Sequence, residues 1–390
     1  MRKKNQINNI NFGVTMKTIK LLFLIVIVFC QTAFSQIDSK VNEIITTVQQ
    51  KHVPDRRLGV FTIEPEMVDE KLQLNGETDN QAALDELLTE LQASQITFEN
   101  NVLILPDTAL KGNHYAVVVI SVANMRSNNG HGAELVNQVL LGTELKILKK
   151  RGGFYYTQTP DKYLGWISSS SLKLYTDASI SEWRDSKKLI YTDLFGIVYS
   201  EKDISSEPVL DIVVGCLIKS VSKEGGWYKV ENPDGRIGYI PEDKVENKDS
   251  WDKSRNLTFD NLFKTGKRFM GFPYLWGGTS SKGLDCSGFI KTIFYLNGST
   301  LPRDASQQVF VGEEIVPEEG YKNVNKGDLL FFGTPDREGR QRVTHVAMYI
   351  GDLNFIHCSG DVLISSFDPN SPVYDRSHSE NLVKITRLVK

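Results

Sequence analysis

The sequence predicts an α+β chain of several domains with two small β-barrels at its centre, and three observations predict it. An internal repeat aligns VLLGTELKILKKRGGFYYTQTPDKYLGWI with IVVGCLIKSVSKEGGWYKVENPDGRIGYI at a constant offset of 73 residues. An amphipathic helical pattern opens at Cys286 and is followed by two strand-like runs that each carry a histidine. A helical stripe between Asn80 and Leu91 is flanked by the strand-like runs LGVFTIE and VLILP. A length of 390 residues suits two to four domains, and 40% hydrophobic with 24% charged residues is ordinary globular composition. That excludes wholesale disorder and a multispanning membrane protein.

From the N-terminus, the first segment is a targeting signal. Residues 1–35 carry Arg2, Lys3, Lys4, Lys17 and Lys20 and no acidic residue. The apolar run Leu21 to Phe29 is too short for a spanning helix, which needs about 20 residues. A basic flank, a short apolar core and Ala33-Phe34-Ser35 make a secretory signal peptide, with a start at Met16 and cleavage after Ser35. The protein is therefore expected to be exported, to the periplasm or beyond, with no stable membrane insertion after cleavage. The remainder is acidic and carries no electrostatic footprint for nucleic acid. Cys216, Cys286 and Cys358 remain, an odd count that leaves at least one thiol unpaired.

Residues 36–115 form a small α+β unit, with Ala83, Leu84, Leu87, Leu88 and Leu91 on one helical face. No chemical signature marks it. The repeat follows, as short strands split by Gly-Gly and Pro-Asp turns. Gly142 pairs with Gly215, Phe154-Tyr155 with Trp227-Tyr228, and Gly165-Trp166-Ile167 with Gly238-Tyr239-Ile240. Residues 116–176 and 187–247 thereby resemble bacterial SH3-like domains, which often bind cell-wall peptides. Residues 246–257, polar and charged, read as a linker to a C-terminal domain over 258–390.

That domain carries the chemistry. Cys286 stands at the first turn of a helix whose stripe is Phe289, Ile290, Ile293 and Phe294, and Asn297-Gly298 is a stop signal. Unpaired amides and the helix dipole there favour a thiolate, the form that attacks a carbonyl. In VTHVAMYIG the alternation sets His345 beside Ala347 and Tyr349, and in FIHCSG it sets His357 opposite Ile356. Two histidines on neighbouring strands facing one helix N-terminus supply a general base and an orienting partner. A zinc site from Cys286, His345, His357 and Cys358 is the rival, weakened by the lack of closely spaced ligand pairs. Cys358 and Cys216 read as small core residues.

DCSGF, HVAMYIG and FIHCSG, with PYLWGG upstream and GDLLFF between, are similar to the NlpC/P60 family of papain-like cysteine peptidases. The resemblance implies a papain-like fold with Cys286 as nucleophile, His345 as base, His357 as its orienting residue, and Tyr274 beside the Cys286 amide at the oxyanion. It implies no metal or organic cofactor, and peptidoglycan stem peptides as substrate. The preceding SH3-like pair resembles the subgroup of γ-D-glutamyl-L-diamino acid endopeptidases that act as dipeptidyl-peptidases on stems with a free N-terminal L-alanine. That subgroup implies substrate contacts from Asp285, Ser287, Trp276 and Asp304, with Glu134 and Tyr163 from the first SH3-like copy. Tyr163 aligns with Arg236 in the second copy, so the barrel itself does not demand it. The subgroup has serine directly after the aspartate, whereas Ala305 follows Asp304 here and Ser306 comes one place later. An amidase or acyltransferase using the same trio, and a non-catalytic wall-binding adaptor, are the alternatives.

Overall fold

The computed structural model describes residues 38–69 and 71–389; the expected signal segment over 1–35 lies outside the described residues. The chain divides into two compact units, residues 38–56 with 60–104, and residues 57–59 with 105–389. In the first, helix α1 (38–52) precedes β1 (Glu64–Val68), β2 (Lys71–Thr78), α2 (Gln81–Ala93) and β3 (Phe98–Ile104). β1 and β2 are antiparallel, whereas β2 and β3 are parallel, with α2 as the crossover. Asn80 caps α2 by accepting from the Ala83 amide. Ala83, Leu84, Leu87 and Leu91 are buried against Val41, Ile45 and Val48 of α1 and Leu72 and Leu74 of β2, as the stripe predicts. LGVFTIE differs from expectation: Phe61 makes only an isolated bridge to Thr78, and its first residues, Leu58 and Gly59, belong to the second unit.

The repeat is reproduced strand for strand. The first copy contains β4 (Tyr115–Val118), β5 (Val122–Arg126), β6 (Leu135–Leu140), β7 (Glu144–Arg151), β8 (Phe154–Gln158), β9 (Leu164–Ser168) and β10 (Leu172–Tyr175). After the short helix α3 (Ile180–Arg184), the second contains β11 (Lys188–Tyr191), β12 (Phe195–Tyr199), β13 (Pro208–Val213), β14 (Leu217–Glu224), β15 (Trp227–Glu231), β16 (Ile237–Pro241) and β17 (Val245–Asn247). The ladder orders correspond: β10-β4-β7-β8-β9-β5-β6 in one, β17-β11-β14-β15-β16-β12-β13 in the other. Gly165 sits where a Cβ would fall 2.3 Å from Met125, and its repeat mate Gly238 where a Cβ would fall 2.5 Å from Val198. Glycine is thus held by the same close crossing in both copies. Gly142 and Gly215 share a left-handed turn, at φ 80° and 86°. Neither copy closes as a ladder: among the described residues the end strands, β6 with β10 and β13 with β17, share no pairing. The expected barrels are therefore open seven-stranded sheets.

The expected linker is partly helical. α4 (Lys248–Ser254) is capped by Asn247 and buries Trp251. Beyond it lie α5 (Phe259–Lys267), the hairpin β18 (Thr279–Ser280) and β19 (Gly283–Leu284), α6 (Cys286–Tyr295) and α7 (Ala305–Gln308). The remaining elements are β20 (Glu313–Ile315), β21 (Leu329–Phe332), β22 (His345–Gly351), β23 (Asn354–Ser359), β24 (Asp361–Ser366), α8 (Arg376–Glu380) and β25 (Leu382–Arg387). The six strands form an antiparallel sheet ordered β20-β25-β21-β22-β23-β24. One face packs Val346, Met348, Ile356 and Cys358 against Phe289, Ile290, Ile293 and Phe294 of α6. The other packs Ala347, Tyr349 and Phe355 with Phe332 and Phe367.

Candidate active site

Asp285 starts α6. Its carboxylate accepts from the Gly288 amide at 2.7 Å, so the chain turns into the helix with Cys286 as its first residue. A Cβ on Gly288 would meet the Gly278 carbonyl at 1.9 Å, so the small residue admits backbone here. Beneath the cysteine lies a buried ion pair. Arg303, 2% exposed, reaches Asp285 at 2.5 and 3.1 Å and the Ser287 hydroxyl at 2.9 Å. Asp285 also accepts from the Gly277 amide at 3.0 Å and from Ser287 at 3.2 Å. Both its oxygens are therefore occupied. The carboxylate braces the helix start, and Ser287 belongs to the same network.

Cys286 is 6% exposed, and its Sγ lies 3.9 Å from the Thr344 carbonyl oxygen. Burial, with the Asp285 charge second, pushes the thiol up to about 12. The helix terminus was expected to favour thiolate; desolvation and an adjacent carboxylate outweigh it, so the resting sulfur is a neutral thiol. Tyr274 is half-buried in the same cleft, and burial, Cys286 and Asp285 raise its phenol, which stays a hydrogen-bond donor.

His345 opens β22, one residue beyond the carbonyl that the thiol touches. Its Nε2 lies 2.8 Å from His357 Nδ1, and His357 Nε2 lies 3.0 Å from Ser365 Oγ. Register makes this contact: Met348 pairs with Ile356, which brings the odd-numbered residues of both strands to one face. That face is the one away from α6, shared with Phe332 and Phe355. His345 thus stands at the strand end, next to the Thr344 carbonyl that the thiol approaches, while His357 lies within β23. Among the described residues no hydrogen bond joins the thiol to an imidazole. Burial, followed by the charges of His357 and His378, holds His345 well below its ordinary value of 6.5. Burial first and His378 second bring His357 to about 3. Both rings are neutral at physiological pH.

His378, which carries no signal in the sequence beyond an Asp-x-x-His helix start, completes this cluster. Its ring centroid lies 4.4 Å from that of His345 and 5.0 Å from that of His357, and Asp375 holds its Nδ1 at 2.6 Å. One ring nitrogen from each of His345, His357 and His378 lies within 4.8 Å of the other two, close enough to share a metal ion. Cys286 is not part of it. Cys358 lies on the opposite face, with its Sγ 3.2 Å from the Leu284 carbonyl, and Cys216 is buried, as expected of core residues. Among the described residues Cys216, Cys286 and Cys358 are all free thiols.

The first SH3-like copy supplies one wall of the cleft. Gln138 within β6 docks on the hairpin: its Oε1 accepts from Ser280 Oγ at 2.8 Å and Thr279 N at 3.1 Å. Asp161 pairs with Lys291 of α6 at 2.8 Å. Docked this way, Glu134 accepts from the Trp276 indole at 2.7 Å, and Tyr163 donates to Asp304 at 3.1 Å. Glu134, Tyr163, Tyr274, Trp276, Asp285, Cys286, Ser287 and Asp304 then line one cleft. Trp276 is 62% exposed, whereas Tyr163 is 6% exposed, and burial with the Asp304 charge raises its phenol. The cleft also contains Arg57, Arg303 and Arg342, none of which the sequence marked.

The NlpC/P60 family signature matches residues 271–386, and that of the bacterial SH3 domain matches residues 121–173. The chain is 28% identical over 282 residues to dipeptidyl-peptidase 6 of Lysinibacillus sphaericus, spanning 70% of this chain and 99% of that protein. It is 33% identical over 239 residues to a gamma-D-glutamyl-L-lysine dipeptidyl-peptidase of Bacillus cereus, spanning 57% of this chain and 67% of that protein. A crystal structure of an NlpC/P60 family protein from Bacillus cereus superposes with a TM-score of 0.60 at 25% identity, covering 71% of this chain and 100% of that one. The family signature spans α6 with its cysteine and the two strands with their histidines. The chain belongs to the NlpC/P60 family of cysteine peptidases.

Proposed function

We propose that the protein is an exported peptidoglycan hydrolase that cleaves the bond between γ-D-glutamate and the following diamino acid in stem peptides presenting N-terminal L-alanine. The observation that carries this reading is the cleft itself: Glu134 and Tyr163 of an SH3-like copy stand with Asp304 in the same cavity as Cys286. A peptide whose reacting carbonyl lies at the thiol therefore ends against that wall within a few residues. The names of the two relatives, a dipeptidyl-peptidase 6 and a gamma-D-glutamyl-L-lysine dipeptidyl-peptidase, support the same substrate class. Export follows from a wall substrate; among the described residues no helix is long and apolar enough to cross a membrane.

In this reading His345 takes the Cys286 proton as the sulfur attacks the γ-glutamyl carbonyl carbon, because both groups rest neutral. His345 Nε2 is engaged by His357, which leaves Nδ1 for the thiol. A base at Nδ1 carries its hydrogen on Nε2 and donates it to His357 Nδ1. His357 then carries its own hydrogen on Nε2 and donates to Ser365. The thiol–imidazole approach tightens when substrate is bound. The Cys286 amide and the Tyr274 hydroxyl stabilise the oxyanion. Protonated His345 gives its proton to the departing diamino-acid amine. A water, losing a proton to His345, then cleaves the thioester, releases L-Ala-γ-D-Glu and restores the thiol.

Mass spectrometry of L-Ala-γ-D-Glu-diaminopimelate and L-Ala-γ-D-Glu-L-Lys incubated with the protein, and with Cys286→Ala, tests the proposal. Release of L-Ala-γ-D-Glu by the parent alone is expected. No cleavage of either peptide under reducing conditions would sink it and bring the wall-binding adaptor forward.

A further inference from the structure

We infer that Arg57 sets how strongly the cleft prefers a free N-terminal amine over an acylated one, by occupying the carboxylate that the amine would need. The inference rests on the reading above that the stem N-terminus enters beside Asp304. Arg57 Nη1 donates to Asp304 Oδ2 at 2.7 Å and to Ser306 Oγ at 2.9 Å. The Tyr163 hydroxyl donates to the same Oδ2 at 3.1 Å, and Arg303 Nη1 stands 3.9 Å from Oδ1. Asp304 is therefore already compensated. Ser306, displaced by one position from where the subgroup pattern has its serine, is turned to the guanidinium.

Arg57 is tethered to this position. Its carbonyl accepts from the Leu164 amide at 2.8 Å, the Leu58 carbonyl accepts from Gln158 Nε2 at 2.9 Å, and Leu58 packs against the core of the first SH3-like copy. A three-residue segment is thereby pinned beside the strand that follows Tyr163, and its one charged side chain points into the cleft.

Selection for a free amine by an acidic pocket comes largely from the cost of leaving a desolvated carboxylate unpaired when the ligand's end is neutral. Arg57 removes that cost, because Asp304 keeps a partner whether or not an ammonium arrives. It also places a like charge beside the incoming ammonium, which must then share Asp304 or turn to Glu134. Both effects weaken the discrimination. Removing the guanidinium restores it.

Binding separates this from the peptidase reading. In a Cys286→Ala background, calorimetry with L-Ala-γ-D-Glu-diaminopimelate and its N-acetyl form gives an amine-over-acetyl affinity ratio. Arg57→Gln is expected to raise that ratio by about tenfold, a change of roughly 1.4 kcal/mol. Arg57→Lys, which keeps the charge, is expected to stay near the parent value. An unchanged or smaller ratio in Arg57→Gln overturns the role of Arg57, and so does equal movement in both variants. Turnover by the Cys286 protein is scored separately: lack of turnover with the ratio shift present sinks the peptidase reading and leaves Arg57 its role. Turnover with an unchanged ratio does the reverse, and binding of neither peptide overturns both.

Discussion

His345 and His357 meet edge to face, with ring planes at 89°, through a 2.8 Å contact between Nε2 of the first and Nδ1 of the second. That contact fixes which nitrogen of His345 is free, and Ser365 extends it at 3.0 Å. The consequences for tautomer, pH and stability can each be measured.

Loss of the partner ring should slow chemistry more than binding. His357→Ala is expected to lower kcat by about 100-fold or more with little change in KM, since general acid–base catalysis contributes about 10²–10⁴. His357→Asn, which retains a polar partner, should recover part of it. A rise in KM with unaltered kcat would remove His357 from the proton relay.

A resting neutral thiol has a chemical signature. With Cys286 pushed up to about 12, alkylation by iodoacetamide at pH 7 should be much slower than for a free cysteine. The rate should keep rising through pH 9 without a plateau. A midpoint below pH 7 in the single-cysteine reaction would mean a pre-formed thiolate–imidazolium pair.

His357 also couples folding to pH. Its folded value is about 3 against 6.5 for an ordinary imidazole, so between these limits the unfolded chain binds the extra proton. Stability is full above pH 6.5 and is lost progressively as the pH falls toward 3. Thermal unfolding of parent and His357→Gln should show a shallower acid loss in the variant. Parallel curves would count against a buried neutral His357.

Beneath Cys286, Arg303 and Asp285 form a buried pair whose halves are not independent. Arg303→Met strands a buried carboxylate and should destabilise the fold by about 3–5 kcal/mol. Adding Asp285→Asn, which keeps the cap on the Gly288 amide, should return much of that loss. Denaturant melts of the two single variants and the double decide it, and additive losses would refute the coupling.

His378 depresses His345 through its charge, third after burial and His357. His378→Phe keeps a ring against His345 and removes that charge. The acid limb of kcat/KM, which reports the free enzyme, should therefore move to higher pH. A limb that stays in place or moves down would show that His378 only packs.

Local grammar made much of this legible in the chain alone. The 73-residue offset requires two copies of one sheet, because Gly142 and Gly215 need a left-handed turn and Gly165 and Gly238 a close crossing. A period of two set His357 and Cys358 on opposite faces, and the apolar stripe from Phe289 to Phe294 marked the helix that presents Cys286. Each is a signal carried within a few residues.

Tertiary structure decided whatever depends on partners distant in sequence. Arg303 pairs with Asp285, a partnership between residues 18 positions apart that no local pattern announces. Burial reverses the ionisation that a helix terminus alone would favour at Cys286, because desolvation depends on everything packed around the sulfur. Helix α8 brings His378, with Asp375 at its cap, to the histidine pair, and a segment near residue 57 reaches Asp304, some 247 positions along the chain. Periodicity and capping are local and survive in the sequence. Charge compensation and burial are sums over neighbours, and only the folded chain determines who those neighbours are.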